Sequence, residues 1–160
     1  MEARWLTPEQ LAAWVRLIGV VELLPGVLDS QLRRDAKLTH FDYYVLSQLS
    51  EAPGRVLRMT ALADRTAATL ARLSHVVQRL EARGLVERFP CPEDRRATNA
   101  RLTDDGWRTV RESAPGHVET VREYVIDALT PEQVSQLAEI SEAILRRLDP
   151  DASLYRRYDS

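Results

Sequence analysis

Two adjacent arginines, Arg95 and Arg96, stand in the polar stretch "CPEDRRATNARLTDDG" that runs from Cys91 to Gly106. Guanidinium groups rarely enter a protein interior unpaired, so a buried role is not expected. They belong either to a solvated turn or to a surface meant for an anionic partner. Upstream, "TLARLSHVVQRLEARGLV" carries Leu73, Val76, Val77 and Leu80 at helical spacing, with Thr69 placed as its N-cap. Arg72, Ser74, His75, Gln78 and Arg79 fall mostly off that apolar face. The planar fork of arginine matches phosphate oxygens, and polar side chains on one helix match the edges of bases in a major groove. The chemistry these spacings offer is recognition rather than catalysis. No P-loop, dinucleotide glycine fingerprint or nucleophile elbow is present, so neither an enzyme nor a cofactor is expected. His40, His75 and His117 lie far apart and show no metal-ligand spacing with Cys91.

The charge distribution points the same way. The 160-residue chain has a formal net charge of −2, but the stretch from Arg55 to Arg108 holds eleven arginines against seven carboxylates. A basic middle between acidic ends implies a local anionic partner. Hydrophobic residues at 44% and charged residues at 29% are the balance of a globular protein. No uninterrupted apolar run approaches the ~20 residues that cross a bilayer, and no signal peptide is recognisable, so no membrane partner is expected. A single cysteine, Cys91, excludes an internal disulfide and fits a cytoplasmic location. Its reactivity as an oxidation sensor depends on exposure and nearby charge, which the sequence does not give.

The elements that must position these side chains are mostly helical. "LTPEQLAAWVRLIGVVELL" has Thr7 as N-cap and Pro8 at the first helical position, with a kink or break expected at Pro25-Gly26. Thr39 and Asp42 form a capping-box-like pair before the helix of "FDYYVLSQLSE". "RVLRM" is long enough for a stub of strand, and Thr60 is placed to cap a short helix to about Arg65. The helix after Thr69 ends at Gly84, where a left-handed cap is wanted. "LVERF" and "NARLT" read as the two strands of a hairpin around Arg95 and Arg96. Thr103 then caps a long helix to about Leu129, with an irregularity expected at Pro115-Gly116. Thr130-Pro131-Glu132 starts the last helix, which Asp149-Pro150 stops, and the tail "DASLYRRYDS" is expected to fray. The doublets Arg33-Arg34, Arg146-Arg147 and Arg156-Arg157 read as solvated faces or tails.

Two short helices joined by a tight turn and followed by a hairpin make a winged helix-turn-helix. The fold class is therefore mainly α with a small β-hairpin wing. Long terminal helices carry the stripes Leu11-Trp14-Ile18-Val21 and Leu137-Ile140-Ile144-Leu148, too extensive for the small lobe to cover. A second copy of the chain is the expected cover. The organisation read here is an N-terminal dimerisation helix over 1–36, a DNA-binding lobe over 37–103, and C-terminal dimerisation helices and tail over 104–160.

"LEARGLVER" followed by "PEDRRATNARLTDDG" resembles the MarR family of bacterial transcriptional regulators. The resemblance covers about Leu38 to Gly106 by motif and the whole chain by order of elements. It implies a homodimer on a pseudo-palindromic duplex operator, a repressor role, and release by a small aromatic or anionic effector or by an oxidant. It assigns Arg96 to groove insertion and Arg95 to a place nearer the backbone, with Asp94 holding the arginine for presentation. It also places Trp14, Tyr43, Tyr44 and Trp107 on the elements around an effector cleft, where Arg111 would suit a planar anion. The plainer reading of those aromatics is core packing. The chain departs from the family in having apolar Leu70 and Ala71 in the first turn of the recognition helix, which shifts base contacts toward Arg72 and beyond. For Arg72 and Arg79, pairing with acids such as Glu81 or Glu87 is the alternative to DNA. The alternative for the whole chain is a winged-helix dimerisation or protein-interaction module without DNA binding, which would have no need of the arginine excess.

Overall fold

The computed structural model describes residues 3–154. In chain order the elements are α1 (Pro8–Ala36), α2 (His40–Glu51), β1 (Val56–Arg58), α3 (Met59–Arg65), α4 (Leu70–Ala82), β2 (Val86–Pro90), β3 (Thr98–Leu102), α5 (Asp104–Val121) and α6 (Pro131–Leu148). A 3-10 turn at Pro53–Arg55 precedes β1, and a π-turn at Arg122–Ile126 follows α5.

Threonine hydroxyls begin five of the six α-helices. Thr7, Thr39, Thr69, Thr103 and Thr130 each accept a backbone N–H three residues on, satisfying one of the donors that a helix start leaves over. At Thr7, Thr39 and Thr130 the side chain of Gln10, Asp42 or Gln133 returns a bond to the cap, completing a capping box. Thr60 is not a cap. Helix α3 starts two residues earlier than that cap implies, at Met59 behind Arg58, which makes no side-chain cap bond. The buried Met59 side chain anchors that start instead.

The sheet has the order β1-β3-β2, both pairings antiparallel. The stub β1 therefore adds to the hairpin and leaves β3 central. β2 is an edge strand, the position in which Pro90 withholds no ladder bond. Gly84, at φ 74, supplies the left-handed turn between α4 and β2. The core is one cluster under α2, α3 and α4, built on Leu32, Leu38, Leu46, Leu49, Leu62 and Leu73, each fully buried.

Neither Pro25 nor Pro115 interrupts its helix. Helix α1 runs through Pro25 without interruption. Proline frees the carbonyl four residues back, here that of Val21, a residue half exposed where water can satisfy it. Helix α5 likewise continues through Pro115, and the irregularity lies beyond it, in the π-turn. Gly116 serves packing: a β-carbon there would come within 3.1 Å of Gln31 Nε2 and 3.2 Å of Asp35 Oδ2, so its absence lets α1 lie close against α5.

The terminal helices are poorly covered. Only the C-terminal part of α1 contributes buried residues (Leu28, Gln31, Leu32), and α6 contributes none. Leu11, Trp14, Val15, Val21, Ile140 and Leu148 are all exposed. By length and composition α1 is apolar enough to cross a membrane, which corrects the expectation drawn from uninterrupted runs. Arg16 and Glu22 interrupt the run without removing its apolar character. The expected fraying of the tail concerns mainly residues 155–160, which lie outside the described residues, as do Arg156 and Arg157.

Candidate nucleic-acid interface

Helix α4 is reached from α3 through a four-residue turn. The buried Thr66 hydroxyl donates back to the Leu62 carbonyl (2.7 Å), Ala67 takes a left-handed φ of 51, and the Ala68 N–H closes onto the Ala63 carbonyl (3.0 Å). The Tyr44 hydroxyl caps the Arg65 carbonyl at 3.1 Å, tying α2 to the end of α3.

At about 100° per residue, the buried side chains Leu73, Val76, Val77 and Leu80 define the inner face of α4. Opposite them Ala71, His75, Gln78 and Ala82 form an exposed outer ridge. Two flanks separate ridge from core. On one, Leu70, Ser74 and Glu81 face the hairpin; on the other, Arg72, Arg79 and Arg83 face α1 and α2.

The candidate reading residues therefore divide. His75 and Gln78 stand on the ridge. Ser74 is half buried and accepts from Arg88 Nη1 at 3.5 Å. Arg72 stacks on the Phe41 ring, 3.9 Å from its centroid. Arg79 donates to Asp42 Oδ1 at 2.9 Å. The alternative of pairing with an acid is therefore met at Arg79, but by Asp42; Glu81 pairs with Arg88 and Glu87 with Arg101. Thr69 is exposed, with its oxygen accepting the Arg72 N–H (3.1 Å).

The hairpin tip is shaped by backbone bonds: Cys91 N–H to Ala97 carbonyl (2.9 Å) and Ala97 N–H to Asp94 carbonyl (2.9 Å). Asp94 Oδ1 accepts the backbone N–H of Arg96 at 3.1 Å. The acid thus holds the arginine at its backbone N–H and fixes the turn, with no bond to the guanidinium among the described residues. Arg95 and Arg96 are exposed and form no ion pair among the described residues. Arg96 borders a cavity of about 240 Å³ shared with Arg58, Thr60, Ser74, Arg88 and Thr98. Cys91 is buried beneath this loop, with Arg58 Nη2 at 3.7 Å from its sulfur. The backbone N–H groups of Glu93 and Asp94, and then Arg58, hold its thiol below the usual range.

Arg88 was not singled out by sequence, yet it joins wing to helix. Its backbone N–H donates to Glu81 Oε2 (2.9 Å), and its guanidinium to Glu81 Oε1 (3.1 Å). The signal was strand alternation: Arg88 shares a face with the buried Val86.

The four candidate effector residues are not gathered in this chain. Trp14 lies exposed on α1, while Tyr43 is buried with its ring 4.6 Å from His117. Trp107 and Arg111 do line one cavity of about 510 Å³, with the Arg55 guanidinium 4.2 Å from the Trp107 ring centroid. Near Tyr43, His40 and His117 stack at 6.3 Å, and burial pushes both imidazole pKa values down.

A helix with an exposed ridge bearing His75 and Gln78, preceded by a short helix and followed by an arginine-tipped hairpin, defines a winged helix-turn-helix protein. A MarR family model matches residues 37–97. The chain is similar to Sco3205, a MarR family transcriptional regulator from Streptomyces coelicolor whose structure was solved in complex with DNA, at 48% identity, 93% coverage of each chain and a TM-score of 0.89. It is also similar to AbsC, a MarR family transcriptional regulator from the same organism, at 40% identity, over 91% of this chain and 98% of that one, with a TM-score of 0.86. The transcriptional regulator BldR from Sulfolobus solfataricus matches at 27% identity, over 87% and 96% of the two chains, with a TM-score of 0.76. The chain belongs to the MarR family of transcriptional regulators and is not an enzyme.

Proposed function

We propose that the protein is a homodimeric DNA-binding repressor that occupies a pseudo-palindromic operator in the cytoplasm and leaves it when a small ligand binds. The observation that carries this reading is the ridge of His75 and Gln78 beside a hairpin whose Arg95 and Arg96 guanidinium groups form no ion pair among the described residues. The major groove, about 12 Å wide, admits such a helix, and a narrow minor groove attracts arginine. The DNA complex of Sco3205 supports the same assignment.

Dimerisation follows from the apolar faces of α1 and α6. Exposed patches of that size mark interaction surfaces, and two copies with interleaved arms bury them. Two recognition helices then sit about 34 Å apart, or slightly less, on one face of the duplex. A bound dimer represses by covering the DNA it occupies. The effector site is narrowed to the cavity of Trp107 and Arg111, which suits a planar aromatic anion.

Sedimentation at micromolar concentration, combined with anisotropy of a labelled random duplex across a salt series, tests the reading. A dimer whose affinity falls steeply with salt is expected. A monomer, or salt-independent binding, overturns it. Quenching of tryptophan fluorescence by aromatic carboxylates, lost in Trp107→Ala, is the expected sign of the effector.

A further inference from the structure

On the arm flank of α4, away from the wing, lies a cavity of about 410 Å³ floored by two leucines, with a polar lining of Arg33, Lys37, Thr39, Asp42, Arg79 and Arg83. Four of these are cations and one is a carboxylate. Asp42 is fully engaged: Oδ2 accepts the Thr39 N–H and Oδ1 the Arg79 guanidinium, both at 2.9 Å. Arg33 is paired with Asp29 at 2.5 Å. Arg83 donates to the carbonyls of Lys37 (2.8 Å) and Ala36 (3.3 Å), neutral acceptors that leave its charge uncompensated. The Lys37 ammonium has no hydrogen bond or ion pair among the described residues. Thr39 uses its oxygen as an acceptor for the Asp42 N–H, so its hydroxyl proton remains to donate.

The backbone adds an independent observation. Lys37 caps α1 in the left-handed region, at φ 53. Glycine or asparagine fits there with less strain. The left-handed turn directs the Lys37 carbonyl to Arg83 and leaves a lysine on the rim of the cavity.

We propose that this cavity is a phosphate-binding seat, separate from the wing and from the Trp107 cavity. A phosphate group offers several oxygens to the Lys37 ammonium, the Thr39 hydroxyl and the arginine forks at once. The phosphate has two possible sources, a duplex backbone lying beside α4 or a free phosphate-bearing small molecule. With either, the occupant competes with Asp42 for Arg79, whose flank adjoins the His75–Gln78 ridge. Occupancy of the seat is thereby coupled to the recognition helix.

The test has two arms, each run on the full chain, on Lys37→Gln, and on Arg146→Gln as a charge-matched control on α6. Lys37→Gly, which relieves the left-handed φ, is the second variant should Lys37→Gln fold poorly. In the first arm, pyrophosphate is titrated calorimetrically at low salt without DNA. Binding at one site per chain, weakened at least fivefold by loss of Lys37 and unchanged in Arg146→Gln, supports a free-phosphate occupant. In the second arm, affinity for a random duplex is measured against salt. A slope about one unit shallower per subunit in the Lys37 variants supports a backbone phosphate. Lys37 variants that match the parent in both arms overturn the seat. Failure of every form to bind duplex overturns the DNA-binding reading and leaves the pyrophosphate arm to decide the seat.

Discussion

Arginines border both flanks of α4, Arg88 of β2 on the wing side and Arg79 of α4 itself on the arm side, but they are tied down differently. On the wing flank the tie is short in sequence and wet: Arg88 reaches Glu81, seven residues away, whose side chain is 36% exposed. On the arm flank Arg79 reaches Asp42, 37 residues away, whose side chain is 7% exposed. Exposed ion pairs contribute at most about 1 kcal/mol and yield easily to a phosphate. A pair with a buried carboxylate resists more, because removing its partner leaves a buried charge uncompensated. On the proposed reading the wing flank, with Arg95 and Arg96 forming no ion pair among the described residues beside it, meets a duplex without exchanging partners. The arm flank must first exchange partners.

The largest expected effect is at the wing. Arg96→Ala should weaken specific operator binding by roughly 1–3 kcal/mol, the range for a good base-level contact, as read by anisotropy at physiological salt. Arg95→Ala should weaken operator and random duplex alike and lower the salt slope by about one per subunit. Equal, sequence-independent losses from both changes would remove the distinction between groove and backbone arginine.

Arg88→Ala should loosen the hairpin from α4. The loss of folding stability expected by urea denaturation is about 1 kcal/mol, since the pair is partly exposed. Operator affinity should fall with it. Undiminished operator binding would mean that the wing needs no clasp.

Asp42→Asn sharpens the arm side. Asparagine still accepts the Thr39 N–H through its carbonyl oxygen but has no charge to hold Arg79. The freed arginine should steepen the salt dependence of random-duplex binding by about one unit per subunit. An unchanged slope would place Arg79 out of reach of phosphate.

The smallest effect is that of pH. His40 and His117 pack together where α1, α2 and α5 meet, facing Asp29, Tyr43 and Tyr44. Burial lowers both pKa values, with Asp29 opposing the shift at His40 and His40 adding to it at His117. Below the unfolded histidine value near 6.5 the unfolded chain takes up protons that the folded chain refuses. Stability should thus be full above about pH 7 and decline through the range between the unfolded and the lowered folded values. Denaturation midpoints in urea at pH 7.5 and 5.5 should differ less in His117→Gln than in the parent.

What was legible in sequence was local. The threonine caps at 7, 39, 69, 103 and 130, the glycine turn at 84 and the hairpin around Arg95 all depend on contacts within a few residues. Thr60 misled because it resembles a cap while the buried Met59 sets the start of α3. At Pro25 and Pro115 the helix continues, because proline breaks a helix only where the freed carbonyl lacks water or a substitute. The partners of Arg72 and Arg79 were illegible, since Phe41 and Asp42 meet them only through packing of α2 on α4. Trp14, Tyr43 and Trp107 share a region of sequence logic but not one cavity of the chain.

Selection of bound duplexes from a random pool decides whether the dimer reads a dyad-related operator. An enriched site of two matching half-sites related by a dyad is expected, their centres about one helical turn apart, with Gln78→Ala relaxing the preference at the same position in both. A pool that stays random, or a single half-site without a dyad, would contradict it.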